Sequence, residues 1–214
     1  MIKDPRIVVV THPLVQHALT YLRDRTTDGE AFQRHARVAT LILALEVLRD
    51  LPLQERGIET PLEAITGHVV ATRTIFVPVL RSGLAMLDAI QGFVPGSRVR
   101  FVGMERDETT AIAHHYYNKL PSQLETGRVV ILDPMLATGG SVLATLELLH
   151  ERGARDVRVA CIVAAPEGVR LVNQRYPQVR LHTCALDRGL NERQYILPGL
   201  GDFGDRYFGT ASEE

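Results

Sequence analysis

The sequence predicts an α/β fold built on a mostly parallel sheet with flanking helices, and three features carry that prediction. From residue 72 onward, short runs that are apolar on both faces alternate with amphipathic segments, the pattern of strands covered by helices on each side. Several of these runs stop at an acid, a proline or an arginine and pass through small residues into the next helix. The chain is 214 residues long and 45% apolar, enough to bury one large core. A single domain over 1–214 is expected, with a helical part at about 12–50, a core at about 70–185 and a C-terminal hood at about 186–210.

Taken in order, Ile7 to Val10 reads as a short buried strand and "HPLVQHALTYLRD" as a helix. In "EAFQRHARVATLILALEVLRD" the residues Val38, Leu41, Ile42, Leu45 and Leu48 recur at helical spacing. That stripe is expected to be the core face of a second helix, with an interface between copies as the alternative. The segment "LPLQERGIETP", Leu51 to Pro61, has two prolines and a glycine and reads as a loop or an excursion. Strand and helix then alternate through "TIFVPVL", "GLAMLDAI", "RVRFVGM", "RVVILD", "GGSVLATLELLHERG", "DVRVACIVAA", "PEGVRLVNQRYP" and "VRLHTCAL". Pro78 would remove a ladder donor from a strand centre, so that strand is expected to end or bulge there. After residue 185 the alternation stops, and the glycine-rich tail is expected to wrap over structure already formed.

Composition excludes some classes. The net charge is −1 with both signs interspersed, so nothing marks a track for a phosphate backbone, and no nucleic-acid partner is expected. No leader-like or spanning apolar run occurs, which suggests a soluble, cytoplasmic protein without a membrane partner. Cys161 and Cys184 sit in apolar runs with no CxxC partner and read as buried thiols. His114 and His115 are adjacent, so they cannot share one face as ligands, and they read as exposed loop residues.

The stretch "VVILDPMLATGGSV" carries the chemistry. It ends a strand in Asp133, turns through Thr138, Gly139, Gly140 and Ser141, and opens a helix. Free amides at a helix start, with two hydroxyls beside them, suit a phosphate monoester. Taken alone, the turn is equally an ordinary capped strand-to-helix connection. No lysine follows, so a nucleoside-triphosphate loop is ruled out, and Asp133 is placed to accept hydrogen bonds from ribose hydroxyls. A phosphorylated ribose fits best. "VPVLRSGLAML" offers a second turn with Arg81, Ser82 and Gly83 at its apex, where a guanidinium and amides suit a diphosphate. Arg106, in "GMERDETT", is a third basic candidate at the start of what reads as a mobile arm. "GLGDFG" spells a dinucleotide fingerprint but leaves ten residues for the strand and acid it needs, and its Asp-Phe-Gly has no kinase companions.

Together "THPLVQHALT", "VPVLRSGL", "GMERDE…YYNKLP", "ILDPMLATGGS", "VAAPEG" and "GLNERQYILPGLGDFGDRYFGT" resemble the uracil phosphoribosyltransferases, a branch of the type I phosphoribosyltransferases. The likeness runs from about residue 6 to 210. It implies the type I phosphoribosyltransferase fold, with a flexible arm and a C-terminal hood over the base site. It also implies transfer of a 5-phosphoribosyl group from 5-phospho-α-D-ribose 1-diphosphate to uracil, giving UMP and diphosphate, with Mg2+ held mainly by the diphosphate. Carried over by motif, the donor would be bound by Arg81, Arg106, Asp202 and the run Asp133, Pro134, Met135, Leu136, Ala137, Thr138, Gly139, Gly140 and Ser141. Uracil would meet Ile196, Gly201, Asp202 and Phe203, largely through backbone groups. Asp133, Asp202 and Arg81 are the candidate catalytic residues, none of them assigned as a general base. The likeness further suggests a homodimer or larger homo-oligomer and leaves regulation by GTP or another nucleotide open. Ser82 and Phe203 stand where alanine is expected in many members, and the arm lacks the Leu-Glu-Pro expected before its tyrosine pair. Two alternatives are another base on the same fold, and a donor-sensing regulator that binds nucleic acid.

Overall fold

The computed structural model describes residues 4–106, 113–124 and 126–210. The elements follow in chain order as β1 (Ile7–Val9), α1 (Pro13–Arg23), α2 (Gly29–Val47), β2 (Leu53–Glu59), β3 (Ala64–Val70), β4 (Thr74–Leu80), α3 (Gly83–Ile90), β5 (Arg98–Val99), β6 (Val102–Arg106) and β7 (Ala113–Asn118). Then come β8 (Arg128–Leu132), β9 (Met135–Leu136), α4 (Gly140–Glu151), β10 (Asp156–Ala164), α5 (Pro166–Arg175), β11 (Arg180–Leu186), β12 (Gly189–Leu190), β13 (Ile196–Leu197) and α6 (Phe203–Phe208). The main sheet has the order β1-β11-β10-β8-β4-β6-β7, with β5 beside β4 and β9 beside β10. Every pairing in it is parallel except β6 with β7.

Strand alternation sorts the side chains into two layers. Ile75, Val77 and Val79 of β4, with Val129 and Ile131 of β8, pack against α4 and α5. Phe76, Val130, Leu132 and Ile162 pack on the other face with α1, α2 and α3. Burial on both faces explains why these strands read as continuous apolar runs.

Four local expectations are corrected. The strand does not end at Pro78: β4 runs on to Leu80. Pro78 is the last residue of β4 paired with β8, opposite Leu132, and pairing with β6 begins at Val79, so the missing N–H falls where one ladder hands over to the next. Leu51 to Pro61 is not a loop but part of an excursion from the main sheet, holding β2, which pairs antiparallel with β3 over seven residues from Leu53↔Val70 to Glu59↔Ala64. Every residue of β2 is exposed, and a strand that buries nothing shows no apolar alternation to read. His114 and His115 lie in β7, opposite Glu105 and Met104, rather than in a loop. Residues 107–112 of the expected arm lie outside the described residues.

The fourth correction concerns α2. Its buried face is Phe32, Ala36, Ala39, Thr40, Leu43, Ala44 and Val47, not the stripe of larger side chains. Val38, Leu41, Ile42 and Leu48 are only half-buried, and Leu45 is 52% exposed. Alanines set the inward face because their small side chains let the helix lie close to α1 and the sheet. Large residues then fall on its flank.

At the opposite end of the strands from their C-terminal turns, an ion cluster fastens the end of α2 to the sheet. Asp50 accepts from Arg158 at 2.8 Å and from Arg128 at 2.6 Å, and Arg180 approaches to 3.2 Å. Arg128 also donates to Asp156 at 2.8 Å. Arg158 and Arg128, each 5% exposed, hold the Asp50 carboxyl far below the usual carboxylate range. Removing the partner of a buried cation is costly. Because Asp50 is itself half-exposed and Arg128 keeps Asp156, Asp50→Ala should cost about 2 kcal/mol. Thermal unfolding should show this as a Tm lower by roughly 4–8 °C. An unchanged Tm would show that the cluster adds no net stability.

Candidate active site

The strand order places a crevice without further assumption. After β4 the chain moves one way in the sheet to β6, and after β8 it moves the other way to β10, although β4 and β8 are neighbours. Ligands of open parallel sheets bind at such a switch point, outside the carboxyl ends of the strands. A cavity of about 780 Å³ lies there, lined by Arg81 and Ser82 after β4, Asp133 and Met135 after β8, Ser141 at the start of α4, and residues of the hood.

Two helix starts that directly follow strands of the main sheet face this cavity. α4 begins after Gly139, whose φ of 88° lies in the left-handed region, and no side chain caps the helix. Its first-turn amides have no intrahelical acceptors, so they are open to an anion. Gly140 N–H leans toward Thr138 Oγ1 at 3.4 Å. α3 begins after Ser82, again with no side-chain cap bond, and Arg81 beside it is exposed. Asp133 is 8% exposed and accepts from the Met135 N–H at 3.3 Å, while its own N–H donates to the Ala160 carbonyl at 3.2 Å. Its carboxylate is thus fixed at the mouth of the sheet.

A contact from outside the motif shapes the turn before α4. Gly168, in the first turn of α5, lies so close that a Cβ on it would stand 2.4 Å from the Ala137 carbonyl oxygen and 3.1 Å from the Gly139 nitrogen. This close approach is what the "PEG" of "VAAPEG" provides. The only sequence signal for it was a glycine in the first turn of a helix that follows a strand.

The hood closes the other side. β12 and β13 form a small antiparallel pair, and Asn191 organises the loop between them, its side chain accepting from the N–H groups of Arg193 at 3.0 Å and Tyr195 at 2.9 Å. The tail also contains a short helix, α6, which its composition did not suggest. Asp202 caps α6, accepting from the Asp205 N–H at 2.9 Å. Phe203 is 2% exposed, its ring 5.3 Å from Phe32 and stacked on Tyr207 at 5.7 Å. Arg206 holds the helix down through the carbonyls of Leu22, Leu200 and Asp24 and lies 4.3 Å over the Phe32 ring.

Of the expected site residues, the cavity brings together Arg81, Asp133, Met135, Ala137, Ser141, Ile196, Gly201, Asp202 and Phe203. Thr138, Gly139 and Gly140 form the turn between the lining residues Ala137 and Ser141. Pro134 and Leu136 serve β10: the Pro134 carbonyl accepts from Ile162 and Val163, and the Leu136 side chain is buried against the α4 and α5 layer. The Arg106 backbone is in β6, but its side chain lies outside what is described. Arg193, Gln194, Tyr195 and Met104 also line the cavity and were not among the expected site residues.

This fold, with its phosphate-type turn at the switch point, is that of the phosphoribosyltransferases. The adenine phosphoribosyl transferase of Trypanosoma brucei, solved with AMP, pyrophosphate and ribose-5-phosphate, overlays with a TM-score of 0.55 at 15% identity, covering 94% of this chain and 90% of that one. The AQ2163 protein of Aquifex aeolicus overlays with a TM-score of 0.90 at 34% identity, covering 97% of this chain and all of that one. Within that class the chain belongs to the uracil phosphoribosyltransferase family, whose sequence profile matches residues 9–210. Proteins named uracil phosphoribosyltransferase from Halalkalibacterium halodurans and Bacillus licheniformis are 44% and 45% identical over 206 residues, covering 96% of this chain and 99% of each relative.

Proposed function

We propose that the chain transfers the 5-phosphoribosyl group of 5-phospho-α-D-ribose 1-diphosphate to N1 of uracil, producing UMP and diphosphate. The observation that carries this reading is the convergence of Arg81, Asp133 and the α4 start on one cavity, closed by a hood of backbone-rich turns, in a chain of the uracil family.

The residues divide the work by charge. The α4 first-turn amides, Thr138 and Ser141 take the 5-phosphate, and Asp133 orients the ribose hydroxyls. As the C1–O bond to diphosphate breaks, positive charge develops on the ribose ring and negative charge on the leaving group. Arg81 stabilises the latter, and Arg106 is proposed to join it. The C1–N1 bond then forms, and the N1 proton passes to water or to the departing diphosphate. Ile196, Gly201 and Phe203 present backbone donors and acceptors to the base, with Asp202 beside them, and the buried apolar side chains of Ile196 and Phe203 keep water from competing.

The donor set also fits a magnesium ion. Mg2+ is commonly held by one or two carboxylates together with substrate phosphates and water, and the cavity offers Asp133 and Asp202. When bound, the ion would neutralise charge on the diphosphate. Among the described residues no cluster of three His, Cys, Asp or Glu side chains forms a dedicated cage. None of their helices is long and apolar enough to cross a membrane.

Steady-state turnover with the donor and each of uracil, cytosine, orotate, hypoxanthine and xanthine tests the reading. Uracil should be converted to UMP, with cytosine disfavoured roughly ten- to hundredfold for each mismatched backbone group. Preference for any other base, or donor binding without turnover, would overturn it.

A further inference from the structure

Resting on the reading of the hood as the base site, we infer that Arg23 and Asp187 are positioning residues for uracil, although neither lines the cavity. Arg23 is the last residue of α1, and Asp187 follows β11. They form a two-pronged pair, with Nη1 donating to Oδ2 at 2.9 Å and Nη2 to Oδ1 at 2.7 Å. The pair also takes both backbone groups of Gly199. Arg23 Nη1 donates to the Gly199 carbonyl at 2.8 Å, and the Gly199 N–H donates to Asp187 Oδ2 at 3.0 Å.

Gly199 is where such a grip has the most leverage. Its φ of 61° is left-handed, and a Cβ there would stand 2.2 Å from the carbonyl oxygen of Ile196, one of the groups proposed to read the base. Two residues further on, Gly201 and Asp202 line the cavity. Gly199 thus sits between the two halves of the base-reading backbone, and its peptide orientation sets how those halves face each other.

The clamp is anchored at both ends. The Asp187 N–H donates to the Ala164 carbonyl at 2.8 Å, at the end of β10, and Arg188 N–H donates to the Leu197 carbonyl at 3.0 Å. The Asp187 side chain is 5% exposed and that of Arg23 26%, so water competes little for the acid. A charge-assisted, two-pronged pair of this kind fixes orientation as well as distance. The turns that hold phosphate and diphosphate follow β8 and β4 and receive none of these four hydrogen bonds. Apart from Asp202, which the hood also turns toward the donor, the arrangement therefore separates control of the base from control of the donor.

That separation is the test. In the full-length protein, Arg23→Gln and Asp187→Asn should each raise KM for uracil about tenfold or more, while KM for the donor and kcat at saturating uracil stay within about threefold. Arg23→Lys, which keeps the charge and one donor direction, should recover much of the loss. A donor KM rising in step with the uracil KM would show general distortion and overturn the inference, as would an unchanged uracil KM. If Arg23→Gln does not fold, Asp187→Asn, which preserves side-chain shape, carries the same readout. The parent is measured first. Failure of the parent to use uracil would overturn the reading of the base site, whereas an active parent with unaffected variants would overturn the clamp alone.

Discussion

Replacing Gly168 with alanine should lower kcat/KM for the phosphoribosyl donor by about a hundredfold in a protein that still folds. The new Cβ would stand 2.4 Å from the Ala137 carbonyl oxygen, about an ångström inside ordinary contact, and the atoms it meets are backbone. Backbone cannot rotate away as a side chain can. Either α5 or the turn must move, and α5 is held by Val169 and Val172, both fully buried. The turn therefore yields, carrying the first amides of α4 away from the position proposed for the 5-phosphate. A shift of this size in a positioned anion site is worth roughly 2.7 kcal/mol of transition-state stabilisation, the equivalent of that hundredfold. Steady-state kinetics with varied donor, alongside a melting curve, checks the expectation. Donor kinetics equal to those of the parent would show that the turn tolerates the contact.

The second large effect is on acid stability. Burial pushes the His182 imidazole from 6.5 down to about 4, with help from the Arg158 cation and opposition from Asp50. His182 is 3% exposed and its Nδ1 has no hydrogen-bond partner. The folded protein therefore keeps the ring neutral in a range where the unfolded chain binds a proton. The stabilisation is fully present above the unfolded value, and it is lost as pH falls through the folded one. Between about pH 6.5 and 4, denaturant unfolding should show stability falling by up to about 3 kcal/mol. His182→Gln cannot titrate and should flatten that segment of the curve. The loss of Asp50 follows at lower pH, below the ordinary carboxylate value of 3.8, so the two windows are separable. An equally steep fall in His182→Gln would place the acid sensitivity elsewhere.

What could be read in the sequence divides along a physical line. The strands β4, β8, β10 and β11 were legible because burial on both faces leaves a largely apolar run, and its shortness and flanking turn residues set it apart from a buried helix. Arg81 and Asp133 were legible because they end such runs, and a residue at the end of a parallel strand is already near the crevice. The hairpin of β2 and β3 was invisible because the strand signal is a record of burial, and "LQERGIE" is exposed throughout. The inward face of α2 was misread because hydropathy ranks leucine above alanine, while close packing chose Ala36, Ala39 and Ala44. Gly168 and the Arg23–Asp187 pair were out of reach for another reason. Each acts on a segment distant in sequence, Arg23 and Asp187 being 164 residues apart, and only the folded chain brings them together.

The two buried cysteines give the protein a built-in gauge of its own opening. Cys161 lies in β10 on the side of α4 and α5, and Cys184 lies in β11 on the side of α1, α2 and α3. Neither is more than 1% exposed, and burial raises both thiols, that of Cys184 to about 12. A thiol so placed is nearly inert toward alkylating reagents until its layer lifts from the sheet. Each sulfur therefore timestamps one face of the molecule. The order in which the two become modified reports which helical layer parts first, with no label or probe residue introduced.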